Sequence, residues 1–179
     1  MTIRSATTAD IPEIQAIYAH HVLTGTGSFE EDPPSVEEIA ARFAKVAAHG
    51  WPWLVSTDAT GVLGYAYATQ FRDRSAYRFT LEDSVYVRQD QRGQGVGKAL
   101  VAELVARAEA DGFRQMMAVI GDSENVGSVG LHASLGFQRV GVLRAVGLKF
   151  GRWLDVVYMQ RALGAGSTTA AGADPRTVG

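Results

Sequence analysis

The stretch QRGQGVGKAL, residues 91–100, decides how this chain is interpreted. It follows the alternating segment FTLEDSVYV (79–87), which predicts a strand, and it opens an apolar periodic run that predicts a helix. A glycine-rich turn between a strand and a helix brings backbone amides and the positive end of the helix dipole to one point. The stretch therefore predicts an anion-binding loop, with a plain strand-to-helix turn as the alternative.

Three glycine-rich motifs compete for this stretch. The phosphate loop of nucleotide hydrolases, G-x-x-x-x-G-K-[ST], fails because Arg92 replaces its first glycine and Ala99 its hydroxyl residue. The dinucleotide fingerprint G-x-G-x-x-G fails because Lys98 or Leu100 occupies its last position. R-x-x-G-x-G does fit, and it predicts a pyrophosphate cradle whose glycines allow oxygen atoms to approach the backbone. The candidate cradle residues are Arg92, Gly93, Gln94, Gly95, Val96, Gly97 and Lys98.

The composition excludes several classes of protein. A chain of 179 residues, 46% of them hydrophobic, has room for one domain with a sizeable core. The net charge of −2 argues against nucleic acid as a partner, and no apolar run reaches membrane-spanning length. The absence of cysteine excludes disulfides, thiolate nucleophiles and cysteine-ligated zinc. We expect no metal, since His20-His21 has no third ligand at metal spacing, and we expect a cytoplasmic protein.

The rest of the pattern predicts the helices and strands around the loop. Ser35 begins SVEE (35–38), a capping box that opens a helix ending at Gly50. The pattern predicts two strands over residues 53–70 and a short helix over residues 125–137. It predicts one strand in each of four further segments, namely 79–87, 115–120, 138–147 and 154–162. This order predicts an α/β (α+β) fold with a mixed, mostly antiparallel central sheet flanked by helices. We expect a single domain over residues 1–163 and a disordered tail over residues 164–179.

Several separated stretches resemble one family. The element order of helix pair, hairpin, strand, R-x-x-G-x-G, long helix, strand and short helix ending in Leu-Gly-Phe is similar to that of the GNAT superfamily of acetyl-CoA-dependent N-acyltransferases. Four stretches resemble its phosphinothricin acetyltransferase branch, which includes enzymes acting on methionine sulfone and sulfoximine. They are SFEEDPPSVEE (28–38), WPWLV (51–55), GYAYATQFRDRSAYRFTLEDSVYV (64–87) and LRAVGLKFGRWLDV (143–156). The resemblance covers residues 1–163 and implies a GNAT-type sheet and activity.

The resemblance also implies where acetyl-CoA, the co-substrate, would bind. Val85, Tyr86 and Val87 would hold the pantetheine arm as if it were an added strand. Residues 92–98 would hold the pyrophosphate, and Asn125 would hydrogen-bond the arm from the end of the neighbouring strand. Asn125 is also a good N-cap for the helix that follows it.

The implied chemistry is attack of an amine on a thioester, which needs a base to take a proton from the amine. Glu82 matches the general base of the branch, whereas Asp83 lies on the opposite face of the strand and is a poorer candidate. His132 stands where many superfamily members carry a tyrosine that protonates the leaving thiolate. It either acts as that acid or, as a lone ionisable group in an apolar setting, is hydrogen-bonded for structure.

The segment FRDRSAYRF (71–79) offers arginine forks, which bind carboxylates and phosphinates. The resemblance implies acceptor contacts from Phe29, Arg72, Arg74 and Tyr77, with Lys149 reaching the acceptor from the second subunit of a homodimer. A solvated basic loop is the alternative for the arginines, and a bare hairpin turn is the alternative for the segment around Lys149.

We therefore expect an acetyl-CoA-dependent N-acetyltransferase that works by direct attack in a ternary complex. Its acceptors would be small amino-acid analogues such as phosphinothricin, methionine sulfoximine or methionine sulfone, which implies a role in herbicide or antibiotic resistance. Another amine acceptor, such as an antibiotic, a polyamine or a protein N-terminus, keeps the same chemistry, but the arginines would repel cationic acceptors. A non-catalytic acyl-CoA-binding module is the alternative from another class, and the presence of Glu82 argues against it.

Overall fold

A seven-stranded sheet with four α-helices organises residues 1–175, the part of the chain that the computed structural model describes. The strands are β1 (Thr2–Ser5), β2 (Trp53–Asp58), β3 (Gly61–Gln70), β4 (Thr80–Val87), β5 (Gln115–Gly121), β6 (Gln138–Lys149) and β7 (Arg152–Ala162). The helices are α1 (Ile11–Thr24), α2 (Val36–Ala48), α3 (Val96–Ala110) and α4 (Val126–Ser134). The strand order is β1-β2-β3-β4-β5-β7-β6, and of the neighbouring pairs only β4 and β5 are parallel. The predicted mixed, mostly antiparallel sheet flanked by helices is confirmed.

The start of α2 follows from its first four residues. Ser35 Oγ accepts a hydrogen bond from the Glu38 amide (3.2 Å), and Glu38 Oε2 accepts one from the Ser35 amide (2.6 Å). Two amides that have no partner within the helix are thereby satisfied, which confirms the predicted capping box.

Helices cover both faces of the sheet because its strands alternate in what they bury. Leu54 on β2 packs in one buried cluster with α3, whereas its neighbours Trp53 and Val55 pack in a second cluster with α1 and α2. Part of α4, including Leu131, packs against the first cluster. None of the helices in residues 1–175 combines the length and the apolar character needed to cross a bilayer.

The strands β4 and β5 pair over only part of their length. Their parallel ladder begins at Thr80 opposite Gln115 and ends at Asp83 opposite Ala118. Beyond this point β4 continues in register with β3 to Val87, and β5 continues with β7 to Gly121. The two strands therefore separate in the middle of the sheet, and we call the gap between residues 84–87 and 119–121 the β4–β5 opening.

The last strands extend further than the sequence predicts. β6 runs on to Lys149 and β7 begins at Arg152, because Phe150 (φ 52°) and Gly151 (φ 70°) make a tight connection in the left-handed region. The segment after β7 lies against Arg114, which donates to Gly166 O (3.2 Å) and Ala170 O (2.8 Å). The disorder expected for residues 164–179 stays a prediction, and residues 176–179 lie outside the described part.

Candidate active site

The predicted cradle lies between β4 and α3. Gly93 (φ 74°) and Gly95 (φ 83°) adopt left-handed backbone conformations, and a Cβ on either would meet nothing within 4 Å. Gly95 is the N-cap of α3, and no side chain caps the helix there. The first amides of α3 have no partner within the helix, so they are available to an anion. Arg92, Gln94 and Lys98 are exposed beside them.

Gly97 meets a different requirement from the other two glycines of the cradle. It is buried, and a Cβ there would lie 2.9 Å from Leu131 Cδ1 and 3.2 Å from Val87 Cγ2. Its small size lets α3 pack closely against α4 and β4, and Val96 beside it is also buried. The closeness of these elements brings the cradle next to the β4–β5 opening.

His21 connects the cradle to the end of β4. Its Nε2 lies 2.9 Å from the Val87 carbonyl oxygen, and its Nδ1 lies 3.2 Å from Arg92 Nη2. Burial lowers the pKa of His21, the charge of Arg92 lowers it further, and the Val87 carbonyl opposes them. The ring is therefore neutral at pH 7, donating from Nε2 and accepting at Nδ1. Sequence reasoning gave His21 only a structural place at the end of a helix.

The residues that the resemblance predicts for the pantetheine arm lie along the β4–β5 opening. Val85, Tyr86 and Val87 pair with Ala66, Tyr65 and Gly64 of β3, and no residue of β5 pairs with them on the other side. On that side the Val87 carbonyl accepts from His21, and the Val85 backbone groups are open to an extended ligand, as in strand addition.

Glu82 lies on β4 just before the opening, with its side chain 29% exposed. Burial raises the pKa of Glu82 to about 7, with Asp83 adding to the rise and Arg72 opposing it. Arg72 Nη1 lies 3.6 Å from Glu82 Oε2. A carboxylate with this pKa is a stronger base than an ordinary glutamate and is still substantially ionised at neutral pH.

His132 is not the lone ionisable group that its apolar neighbours in sequence suggest. Its Nε2 lies 3.0 Å from Asp83 Oδ2, and its Nδ1 lies 2.8 Å from the Ser128 carbonyl oxygen. Burial acts to lower the pKa of His132, but the hydrogen bond and charge of Asp83, with the Ser128 carbonyl, outweigh it and raise the pKa. Asp83, which sequence reasoning set aside, is therefore the partner of His132. The sequence predicts only that Asp83 faces away from Glu82.

Asn125 forms the N-cap of α4. Its Oδ1 accepts a hydrogen bond from the Ser128 amide (3.2 Å). Its Nδ2 lies near Gly27, where an added Cβ would be 3.5 Å away. The side-chain amide therefore lies between α4 and the loop of residues 25–34. This position is at one end of the β4–β5 opening, and Glu82 lies at the other.

The loop 71–78 brings one arginine to Glu82. Arg72 Nη2 also contacts the hydroxyl of Tyr158 on β7 (3.3 Å). Tyr77 is 40% exposed and packs edge-on against Phe71, and Arg74 is exposed in the same loop. Arg72 thus places a positive charge beside the proposed base, and Arg74 and Tyr77 lie further along the same loop.

The loop of residues 25–34 contains Phe29 and is contacted by Lys149. Phe29 packs against Gly147 and Gly121, whose missing side chains make room for its ring. Lys149 is 2% exposed, and its Nζ donates to Ser28 O (2.7 Å) and Gly25 O (3.0 Å). Burial lowers the pKa of Lys149, against the charges of Glu31 and Glu30. The Lys149 ammonium therefore binds the chain's own loop. The resemblance implied instead that Lys149 of one subunit reaches the acceptor site of the other subunit in a dimer.

Within residues 1–175, no three His, Cys, Asp or Glu side chains are arranged to hold a metal ion. A family model described as an acetyltransferase (GNAT) domain matches residues 3–158. The chain belongs to the GNAT acetyltransferase family.

Individual GNAT relatives agree with this membership. The chain is 58% identical over 168 residues to the phosphinothricin N-acetyltransferase of Alcaligenes faecalis, a match covering 94% of this chain and 85% of the relative. It is 46% identical over 160 residues to the L-methionine sulfoximine/L-methionine sulfone acetyltransferase of Pseudomonas aeruginosa, covering 89% and 92%. The crystal structure of a GNAT phosphinothricin acetyltransferase from Sinorhizobium meliloti in complex with AcCoA superposes with a TM-score of 0.93 at 48% identity, covering 96% and 93%. The chain is an acetyltransferase, as its sequence predicts.

Proposed function

We propose that this GNAT enzyme transfers the acetyl group of acetyl-CoA to the amino group of small amino-acid analogues, with phosphinothricin, methionine sulfoximine and methionine sulfone as the candidate acceptors. The observation that carries the proposal is the half-buried Glu82, with a pKa of about 7, at the start of the β4–β5 opening. The names of the relatives support the choice of acceptors.

The residues that would hold acetyl-CoA fit its chemistry. The first amides of α3, which have no partner within the helix, and the left-handed glycines before them suit a pyrophosphate, and Arg92 and Lys98 add positive charge. The free edge of β4 at Val85 suits the amides of the pantetheine arm. Asn125 has its side-chain amide at the end of β5, where the arm would pass. Acetyl-CoA supplies the acetyl group as a thioester.

Glu82 would take the proton that the attack releases. The amine nitrogen forms a bond to the thioester carbonyl carbon, the carbon–sulfur bond breaks, and the sulfur leaves with the electron pair as a thiolate. The proton lost by the nitrogen goes to the Glu82 carboxylate, which returns it to solvent. We place the attack in a ternary complex, because an amine can react with a thioester directly and needs no nucleophile from the chain.

The charges around Glu82 favour an acceptor that carries a carboxylate or another anionic group. Arg72 and Arg74 lie in the loop beside Glu82, and guanidinium groups bind carboxylates and phosphinates through paired hydrogen bonds. A polyamine would meet repulsion from the same groups. Acetylation removes the positive charge of the amine, so the same reaction would inactivate a toxic amino-acid analogue and provide resistance to it.

A homodimer is part of this proposal. The β6–β7 hairpin exposes large apolar side chains, among them Leu143 (47%), Leu148 (56%), Phe150 (56%) and Trp153 (68%). Several large apolar side chains exposed on one hairpin are typical of a protein interface. We propose that two copies associate through this face in the cytoplasm. Sedimentation velocity should give a dimer for the native chain and a monomer for Phe150→Glu/Trp153→Glu.

The acceptor class is tested by thiol release from acetyl-CoA with a panel of amines. We expect turnover with methionine sulfone, methionine sulfoximine and phosphinothricin, and at most weak turnover with spermidine or a neutral N-terminal peptide. Preference for spermidine or the peptide would overturn the acceptor assignment. Tight binding of acetyl-CoA with no turnover on any amine of the panel would favour a binding module.

A further inference from the structure

We infer that the buried Asp83–His132 ion pair is a clamp that fixes α4 against β4 and so sets the width of the β4–β5 opening. His132 is then a positioning residue and not the acid that protonates the leaving thiolate. The inference rests on the proposed function, because the opening matters for catalysis only if the acetyl-pantetheine arm enters it.

Both ring nitrogens of His132 face acceptors inside the protein. Nε2 lies 3.0 Å from Asp83 Oδ2, Nδ1 lies 2.8 Å from the Ser128 carbonyl, and the Ser128 hydroxyl is 3.4 Å from Nδ1. A carboxylate and a carbonyl are both satisfied only by a ring that carries two protons. The side chain is 3% exposed, and Phe137 packs against the ring. An imidazolium with both N–H groups engaged in this way has no hydrogen bond left for a thiolate.

The Asp83 side chain is paired with His132. Its side chain is 1% exposed, and within the described residues its Oδ1 has no hydrogen-bond partner. Neither α4 nor β5 carries another titratable side chain, and Glu82, the preceding residue of β4, faces the other side of the sheet. Loss of the imidazole would leave a carboxylate in the interior without a counter-charge, which is strongly unfavourable.

The pair lies where β4 and β5 separate. Asp83 opposite Ala118 is the last pair of the parallel ladder, and the residues that follow it on β4 line the opening. His132 lies near the end of α4, and Leu131 beside it packs on Gly97 in the first turn of α3. One helix therefore connects the start of the opening, through the ion pair, to the cradle.

The reaction does not need an acid at this point. An ordinary thiol has a pKa of about 8.5, so a thiolate is a stable enough leaving group near neutral pH. The sulfur leaves with its electron pair and takes a proton from solvent after release. The proton of the amine has already gone to Glu82, so the proton balance closes without His132.

The first test compares His132→Gln, Asp83→Asn and the double variant. Acetyl-CoA binding is measured by titration calorimetry without acceptor, and kcat and both KM values with methionine sulfone. We expect His132→Gln to raise the Kd for acetyl-CoA about tenfold or more, since it leaves Asp83 unpaired. The KM for methionine sulfone and kcat at saturation should stay within about threefold. The double variant should return to within about threefold of the native Kd, because the two amide side chains can still join β4 to α4 by a hydrogen bond and no unpaired charge remains. Ser134→Ala, exposed on the same helix, is the matched control.

The opposite pattern would identify His132 as the acid. In that case His132→Gln would lower kcat at least tenfold with an unchanged Kd for acetyl-CoA, and the double variant would not recover. A native chain that fails to bind acetyl-CoA would instead refute the proposed function.

A second measurement uses the native protein and needs no variant to fold. Nitrogen-15 NMR of the four histidines should show His132 with both ring nitrogens protonated at pH 6.5 and with a titration midpoint above the ordinary histidine value. A His132 ring that is neutral at pH 6.5 would overturn the ion pair and the clamp with it.

Discussion

Arg72 stands beside Glu82, with 3.6 Å between Arg72 Nη1 and Glu82 Oε2, and the same guanidinium reaches the hydroxyl of Tyr158 at 3.3 Å. The cation lowers the pKa of Glu82 against the larger effect of burial, and the balance is a pKa of about 7. Arg72 therefore has two roles in the proposed site. It lowers the pKa of the proposed base, and it presents a positive charge to the acceptor.

The pH dependence of the reaction should follow Glu82 and respond to Arg72. Because only the carboxylate accepts a proton, kcat/KM should rise as the pH increases through about 7. Removing the opposing charge with Arg72→Gln raises the pKa of Glu82, so the rise should move to higher pH. At pH 6 the loss in kcat/KM should be about two- to fivefold, as for a half-exposed ion pair. Arg72→Lys keeps the charge and should keep the native profile; the same shift in both variants would refute this tuning.

The contact between Phe29 and Gly147 should determine the shape of the part of the site that binds the acceptor. A Cβ at position 147 would overlap the Phe29 ring, so Gly147→Ala must displace it. We expect a higher KM for methionine sulfone, an unchanged KM for acetyl-CoA and a stability loss of about 1–3 kcal/mol. Gly141→Ala on the same strand, where a Cβ meets nothing within 4 Å, is the matched control. Equal effects of the two variants would contradict the account.

The ammonium of Lys149 should stabilise the loop 25–34. Lys149→Met keeps most of the aliphatic stem and leaves the Gly25 and Ser28 carbonyls without their donor. We expect the free energy of unfolding to fall by about 1–3 kcal/mol in urea denaturation. Lys45→Met, on the exposed face of α2, should change it by less than about 0.5 kcal/mol. If Lys149→Met keeps native stability and loses only affinity for the acceptor, Lys149 contacts the acceptor itself.

His21 should support acetyl-CoA binding through the two groups that it joins. His21→Ala removes the donor to the Val87 carbonyl and the acceptor for Arg92, so Arg92 loses its fixed position beside the cradle. The KM for acetyl-CoA should rise about three- to tenfold, which is the effect expected for the loss of one or two hydrogen bonds, and kcat should change little. His20→Ala, one residue away, tests whether the effect belongs to His21; a change in kcat alone would contradict this role.

Local sequence signals predicted the parts of the fold that neighbouring residues determine. The capping box at Ser35 and Glu38 involves residues three apart, and the glycine-rich turn before α3 follows directly from β4. The order of strands and helices was enough to predict a mixed, mostly antiparallel sheet. The resemblance assigned roles to Glu82 and to residues 92–98, and those roles stay predictions.

The contacts that sequence reasoning missed join residues that are far apart in the chain. His132 and Asp83 are 49 residues apart, and Lys149 and Ser28 are 121 apart. Strand alternation correctly predicted that Asp83 faces away from Glu82. It does not reveal that α4 covers the face of the sheet on which Asp83 lies. An aspartate on the face of β4 that also carries Leu81 and Val85 was the available signal, because a charge on an apolar face requires a partner.

The most direct test of the account is acetyl transfer to methionine sulfone by Glu82→Gln, with acetyl-CoA affinity measured on the same preparation. The amide keeps the size of the side chain and cannot accept the proton. We predict that kcat falls about 10²- to 10⁴-fold, that the rise in rate through about pH 7 disappears, and that the Kd for acetyl-CoA is unchanged. Turnover of the variant at the native rate, with the native pH profile, would contradict the assignment of Glu82 as the base.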